Sequence, residues 1–217
     1  MKKLITISRE YGSGGRVIGQ LVAKELGYDF YDKEIIDMSA QESGLSADFI
    51  AKTEQNISSS WLYNLLLGTS YAGTSAGTGG QPMSGHTPVL PLADQVFNAQ
   101  RKTILALAKR GPCVIVGRCA DYILSTSEEI NTADVLNVFI YADLEAKMKR
   151  AVEYYGIPEK DARKTVIQVD KRRANHYNTF TENVWGDRKN YDMLINGSTI
   201  PRENIAAMIA DVAKITG

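Results

Sequence analysis

The sequence has 217 residues, of which 44% are hydrophobic and 23% are charged, and its 25 lysines and arginines balance its 25 aspartates and glutamates. This length suffices for one α/β core with small appended segments. A neutral chain has no overall field that attracts nucleic acid or an anionic membrane, so we expect neither partner, and any anion must be bound by a local cluster of charges.

The cysteines and the N-terminal segment both indicate a cytoplasmic protein. Cys113 and Cys119 are too few for a disulfide framework, and their spacing matches no zinc signature. The apolar run at 4–8 is too short for the core of a secretory signal or for a membrane span.

Short apolar runs alternate with helical patterns along the chain. In chain order, strands are predicted at 4–8, 29–32, 113–117, 135–142 and 192–196, and helices at 17–26, 33–43, 46–67, 92–109, 144–155, 159–177 and from Pro201 onward. Gly27 is well placed to end the first helix. Strands that alternate with helices predict a parallel sheet of five strands with helices on both faces.

One segment does not follow this pattern of strands and helices, and two of the predicted helices have clear apolar faces. Residues 68–88 are rich in glycine, serine and threonine and carry too little apolar surface for a core, so we expect a long loop or flap there. In the helix predicted at 144–155, the apolar face comprises Leu144, Met148, Ala151, Val152 and Tyr155. In the helix predicted from Pro201 onward, it comprises Ile205, Met208, Ile209 and Val212.

In sheets of this kind, ligands bind at the carboxyl ends of the strands. The polar residues that follow the predicted strands are Arg9, Gly12 to Arg16, Asp32, Gly117, Arg118, Asp121, Asp143 and Asn196. These residues form the candidate site.

The segment "ISREYGSGGRVIGQ" places three glycines, Gly12, Gly14 and Gly15, between a strand and a helix. Glycines let a backbone curl closely around an anion, and the amides at a helix N-terminus carry partial positive charge without internal partners. The loop is therefore either a phosphate-binding loop or only a tight strand-to-helix turn.

Compared with the phosphate-loop pattern GxxxxGK followed by Ser or Thr, this loop lacks two functional side chains. With Gly14 as the second glycine, Gly15 takes the lysine position and Arg16 the Ser/Thr position. Arg16 and Arg9 are candidates to supply the missing cation. Ser13 or a nearby aspartate could supply the hydroxyl's contact with Mg²⁺, but the sequence selects no metal ligand.

The resemblance to a known family rests on four segments, of which "VIVGRCADYIL" and "DKRRANHYNTFTENVWGDRKNYDMLIN" are the most specific; the other two are "ITISREYGSGGRVIGQLVAKELGYDFYDKEII" and "NVFIYADLEAKMKRAVEYYGI". The chain resembles the cytidylate kinase-like family of P-loop proteins. The resemblance implies one domain over 1–217 with a three-layer P-loop NTPase-like fold. It also implies a helical lid at 159–190 and a substrate-side insertion at 56–92.

The resemblance also implies roles for individual residues. Asp32 matches an acidic position in the acceptor-nucleoside pocket, and Arg118 matches an arginine that grips the acceptor phosphate. Cys119 replaces the aspartate that usually follows that arginine, with Asp121 two residues further on as a substrate-binding candidate. Arg172 and Arg173 match the lid arginines. The usual acceptor-side arginine after the second strand is absent from "DKEIIDM", so cytidine specificity is not secured.

The function implied is that of an ATP- and Mg²⁺-dependent kinase acting on a nucleoside monophosphate, with CMP or dCMP favoured, or on a similar small phosphorylated acceptor. The donor would be bound by Arg9, Gly12, Ser13, Gly14, Gly15 and Arg16, and Arg16, Arg172 and Arg173 would act in catalysis. The lid arginines would stabilise charge on the transferring group, and closure would exclude water.

Other interpretations stay open. The replaced lysine and hydroxyl are also compatible with a nucleotide sensor that has lost turnover. The stretch 171–177 could bind nucleic acid, although the neutral charge argues against it. Arg172 and Arg173 could form a solvated helix face with Asp170, and Asp32 could cap a helix. The sequence leaves open whether the chain forms a homo-oligomer.

Overall fold

The structure is a computed structural model that describes residues 1–56 and 92–216. The glycine-rich segment at 68–88, nearly all of the predicted insertion at 56–92 and the end of the helix predicted at 46–67 lie outside the described residues. Within those residues, no helix has the length and apolar character needed to cross a membrane.

The described residues form five strands and eight α-helices, in the predicted order with one helix added. The strands are β1 (Leu4–Arg9), β2 (Asp29–Tyr31), β3 (Cys113–Val116), β4 (Val135–Tyr141) and β5 (Met193–Asn196). The helices are α1 (Gly15–Leu26), α2 (Glu34–Ser43), α3 (Ala47–Asn56), α4 (Leu92–Arg110), α5 (Ala120–Ser125), α6 (Leu144–Tyr155), α7 (Glu159–Phe180) and α8 (Arg202–Ile215). The predicted five-stranded parallel sheet is confirmed.

The strand order is β2-β3-β1-β4-β5, and every pairing is parallel. Strand β1 lies in the middle, where Leu4 is in register with Cys113 of β3 and with Val135 of β4. The loop after β1 therefore emerges at the centre of the carboxyl edge, with the loop after β3 beside it. This is where a parallel sheet places its ligands.

Alternation of side chains along β1 divides the core between the two faces of the sheet. Ile5 and Ile7 belong to one buried cluster with residues of α1 and α8. Leu4 belongs to a second cluster, with residues of α2, α4, α5 and α7. Helices thus cover both faces, and the predicted three-layer arrangement is confirmed.

The predicted helix faces need two corrections. In α6, Val152 and Tyr155 are exposed, and the buried positions are Lys147 and Ala151. Met208 of α8 is also exposed, whereas Ile205 and Ile209 are buried as expected. The face of α6 is displaced because Lys147 has two acidic partners from other parts of the chain, which an apolar pattern does not reveal.

Candidate functional site

A cavity of about 590 Å³ opens at the carboxyl ends of β1 and β3, and its size is typical of small-ligand sites. Its walls come from the glycine loop after β1, from the end of β2, from the turn after β3 and from one side of α7. The predicted site residues that line it are Arg9, Gly12, Gly14, Gly15, Arg16, Asp32, Arg118, Arg172 and Arg173.

The glycine loop adopts a conformation that depends on glycine. Gly12 and Gly14 have φ angles of 76° and 93°, in the left-handed region that other residues rarely adopt. A Cβ on Gly12 would lie 2.8 Å from the carbonyl oxygen of Lys147, so α6 leaves no room for a side chain there. Helix α1 begins at Gly15, and its first turn faces the cavity.

Ser13 is the one residue of the predicted donor set that turns away from the cavity. It is fully buried, and its hydroxyl donates to the carbonyl of Glu10 at 2.9 Å. The same oxygen lies 3.4 Å from the amide nitrogen of Gly15, which donates to it. Ser13 therefore stabilises the loop from within, and its assignment as a ligand of the donor stays a prediction.

Three arginines converge on the carboxylate of Asp32, whose side chain is 5% exposed. Arg16 donates from Nε to Oδ2 at 2.7 Å. The Nη2 atom of Arg9 and the Nη1 atom of Arg118 lie 3.5 and 3.6 Å from Oδ1. Arg118 also donates to the backbone carbonyl of Asp32 at 2.6 Å. One acidic side chain thus gathers arginines from the ends of β1, α1 and β3.

The turn after β3, which carries Arg118, has a strained backbone. Gly117, Arg118 and Cys119 have consecutive φ angles of 77°, 55° and 56°. Non-glycine residues in this region cost about 1–2 kcal/mol each and persist where other contacts hold them, often at functional sites. A Cβ on Gly117 would overlap the guanidinium of Arg9, so the turn and the arginine fit together only with glycine.

Helix α7 brings the two predicted lid arginines to the cavity. Arg173 donates from Nη1 to the carbonyl of Arg9 at 2.9 Å, and its guanidinium lies 5.9 Å from the centre of the Tyr11 ring. Burial lowers the pKa of this guanidinium, which stays charged because arginine titrates far above neutral pH. Arg172 lines the cavity on the same helix.

Sequence reasoning missed Lys147, which links the glycine loop to α7. Its Nζ atom lies 2.9 Å from Oε2 of Glu10 and 2.9 Å from Oδ2 of Asp170. Asp170 also accepts a hydrogen bond from the amide of Tyr11 at 2.6 Å. One ammonium group of α6 therefore links Glu10, two residues before Gly12, to Asp170, two residues before Arg172.

Asp121, predicted as a substrate ligand, lies behind β1 and is not among the described residues that line the cavity. It is 2% exposed and accepts hydrogen bonds from Ser8 at 3.3 Å and from Tyr177 at 2.7 Å. Burial raises the pKa of its carboxyl. Direct contact with a substrate stays a prediction, and the contacts seen are those of a residue that supports β1 and α7.

Trp185 and Tyr191, in the segment after α7, pack against the core. The ring of Phe139 lies 5.3 Å from that of Trp185, edge to face, and 4.9 Å from that of Tyr191. Trp185 also lines the cavity. Packing accounts for both residues, and stacking on a base remains available to Trp185.

The described residues do not fit a dedicated metal site. They contain no cluster of three or more potential His, Cys, Asp or Glu ligands. The acidic groups nearest the loop already face cations, Asp32 three arginines and Glu10 and Asp170 a lysine. Mg²⁺ in nucleotide sites is commonly bound through substrate phosphates and water with one or two carboxylates.

A central glycine loop, parallel strands in this order and arginines at the carboxyl edge define a kinase-like protein with a P-loop NTPase-like fold. A profile of the cytidylate kinase-like family matches residues 4–199. The chain belongs to this family, and the resemblance seen in the sequence is confirmed. A search of curated proteins found no match.

Solved structures resemble the chain along nearly its whole length. An uncharacterized protein from Eubacterium ventriosum is 24% identical, with a TM-score of 0.65 and 99% of both chains covered. The shikimate kinase from Bacteroides thetaiotaomicron is 13% identical, with a TM-score of 0.53 and 98% of both chains covered. A sugar kinase from Janibacter is 14% identical, with a TM-score of 0.53 and coverage of 99% of this chain and 96% of the other. These similarities show the fold.

Proposed function

We propose that the chain is an ATP-dependent phosphotransferase that acts on a nucleoside monophosphate, with CMP or dCMP as the first candidates, or on a similar small phosphorylated acceptor. One observation carries the proposal: the glycine loop and five arginines surround a single cavity. These arginines are Arg9, Arg16, Arg118, Arg172 and Arg173. Membership of the cytidylate kinase-like family supports the same reaction class.

The donor is assigned to the glycine loop. Amides at the start of α1 would bind the phosphates of ATP, aided by the positive end of the helix. Arg16 and Arg9 border the loop and would replace the missing lysine as cations. A guanidinium suits this task because it presents several donors in a planar fork that matches phosphate oxygens.

The acceptor is assigned to the side of the cavity formed by Asp32 and Arg118. Arg118 would bind the acceptor phosphate, and Asp32, at the end of β2, would orient the arginines and contact the nucleoside. Arg172 and Arg173 would stabilise the charge on the transferring group. The acceptor phosphate is already an anion, so its attack needs no separate general base.

Mg²⁺ would enter with the nucleotide, because the described residues offer no cluster of ligands for it. When bound, it would neutralise negative charge on the phosphates of the nucleotide. The protein's own contribution is then to bind, orient and exclude water around two anionic substrates.

A screen for ADP release from ATP with Mg²⁺ across the nucleoside monophosphates tests this function. We expect turnover with a marked preference for CMP or dCMP. The Arg172→Ala variant should lose about 10²-fold or more in kcat, because an arginine that stabilises the transferring group is worth 10³–10⁵ in comparable enzymes. Arg163→Ala, which removes an exposed arginine of the same helix, should retain full activity. Binding of ATP without transfer to any acceptor would contradict the proposal.

A nucleotide sensor is the second candidate, and the Asp32 cluster favours it. Three of the arginines that would bind phosphate already face one carboxylate of the protein itself. A sensor would bind nucleotide in the same cavity and rearrange this cluster without catalysis. ATP binding without ADP release in the presence of any acceptor would support a sensor rather than an enzyme.

A further inference from the structure

Arg150 lies behind the glycine loop, on the side away from the cavity. Its Nη1 atom donates to the carbonyl of Gly12 at 3.2 Å and to the carbonyl of Ser13 at 3.1 Å. Its Nη2 atom donates to the carbonyl of Gly197 at 2.6 Å and, more weakly, to that of Ser198 at 3.5 Å. One guanidinium from α6 therefore binds carbonyls of two loops that follow different strands.

The direction of these carbonyls fixes the direction of the neighbouring amides. In a planar trans peptide unit, the carbonyl of one residue and the N–H of the next point to opposite sides. The carbonyl of Ser13 points at Arg150, so the N–H of Gly14 points away from Arg150. Gly14 itself lines the cavity, which means that this amide is directed to the side where a phosphate would lie.

The loops that follow β1 and β5 lie close together, and the guanidinium of Arg150 stabilises this arrangement. A Cβ on Gly197 would lie 2.8 Å from the carbonyl oxygen of Ser13, so the loops are in close contact. The carbonyls of Gly12, Ser13 and Gly197 all accept from Arg150, and partial negative charges that are brought close together repel each other. Arg150 offers several donors in a fixed fork and satisfies all three carbonyls at once.

We propose that Arg150 is a positioning residue of the donor site, which orients the Gly14 amide toward a bound phosphate without touching the phosphate itself. The inference rests on the proposed function, because it assigns a task to a loop that binds the donor. It separates two contributions to anion binding: the direction of the amides and the positive charge near them.

The test compares Arg150→Lys and Arg150→Met with the wild type, using sodium tripolyphosphate as the probe at fixed ionic strength. The Lys variant keeps the charge but cannot bind three carbonyls in the same fork. We expect its affinity to fall about tenfold, since losing hydrogen bonds to a charged group commonly changes an equilibrium by that factor or more. The Met variant should bind at least as weakly, and the exposed control Arg163→Met should match the wild type.

Amide NMR spectra of the same proteins without a ligand supply an independent measurement. We expect the Gly14 amide resonance to be displaced in Arg150→Lys while resonances of the central strands stay in place, which also shows that the variant is folded. Unchanged tripolyphosphate affinity in Arg150→Lys, or an unmoved Gly14 resonance, would overturn the inference alone. A wild-type protein that does not bind tripolyphosphate would overturn both the inference and the proposed function.

Discussion

Arg16 is one of the residues by which the glycine loop departs from the phosphate-loop pattern. It stands where the loop pattern has Ser or Thr, and its side chain reaches Asp32 rather than lying along the loop. The side chain of Arg16 is half exposed, and Arg16 lines the cavity. Under the proposed function, rotation about its long side chain would move the guanidinium from the carboxylate of Asp32 to a phosphate of the bound donor.

Replacing Arg16 with alanine should therefore weaken ATP binding. We expect Arg16→Ala to raise the dissociation constant of ATP about tenfold, the effect typical of one charged hydrogen bond. Titration calorimetry measures this change, with Lys24→Ala at the exposed end of the same helix as the control. Unchanged ATP affinity in Arg16→Ala would show that this side chain did not take over the role of the missing lysine.

Asp121 leads to a prediction about stability and pH. Burial raises the pKa of its carboxyl above the ordinary value of 3.8. The folded protein therefore binds this proton more tightly than the unfolded chain does, and the wild type loses stability as the pH rises from about 4 towards the raised pKa. Asparagine at this position carries no charge and keeps an oxygen that accepts from Tyr177.

We expect the stability of Asp121→Asn relative to the wild type to increase as the pH rises from 4 to 7. Urea unfolding across this pH range measures the difference, with Asp211→Asn, an exposed site, as the control. A difference that stays constant with pH, or that favours the wild type increasingly at pH 7, would be inconsistent with a raised pKa of Asp121.

Helices α6 and α7 stabilise the candidate site through side chains that bond to the glycine loop and to the residues just before it. α6 supplies Arg150, which donates to carbonyls of the glycine loop, and Lys147, which pairs with Glu10 just before that loop. α7 supplies Asp170 and Arg173, which bond to Tyr11 and Arg9. In this structure, α7 is thus attached to the loop through both its acidic and its basic side chains. The predicted role of α7 as a lid therefore requires these bonds to open or to move together with the loop.

Lys147 should matter more for stability than its neighbours on α6. Lys147→Met would leave the carboxylates of Glu10 and Asp170 close together without a cation, and breaking a buried ion pair typically costs about 3–5 kcal/mol. Lys149→Met removes an exposed lysine paired only loosely with Glu153 and should cost about 1 kcal/mol or less. Urea unfolding compares the two variants, and similar losses in both would show that the Lys147 network is not a structural link.

The limits of most helices and strands could be predicted from the sequence, whereas the contacts between them could not. Strand and helix limits followed from apolar periodicity, which local contacts determine, and Gly27 ends α1 in the left-handed conformation as expected. The short helix α5 escaped notice because six residues hold less than two full turns of pattern. Lys147 and Arg150 escaped notice because their partners lie between 23 and 138 residues away in the sequence.

The whole molecule places its cation-rich loops together through strand order. β1 is central and β3 is its neighbour, so the glycine loop and the turn with Arg118 adjoin, and β2 brings Asp32 to the same edge. Although the chain as a whole is neutral, five of its arginines are thereby concentrated around one cavity. The sequence predicted which residues follow the strands, but the convergence of three arginines on Asp32 depends on side-chain directions that only the folded chain defines.

The most direct test of the central claim is a crystal structure of the protein with a non-hydrolysable ATP analogue and Mg²⁺. We expect the triphosphate to lie against the backbone of Gly12 to Gly15, with the guanidinium of Arg16 or Arg9 within hydrogen-bond distance of a phosphate oxygen. A nucleotide bound elsewhere, or a glycine loop whose amides remain bonded to groups of the protein itself while the nucleotide is present, would contradict it.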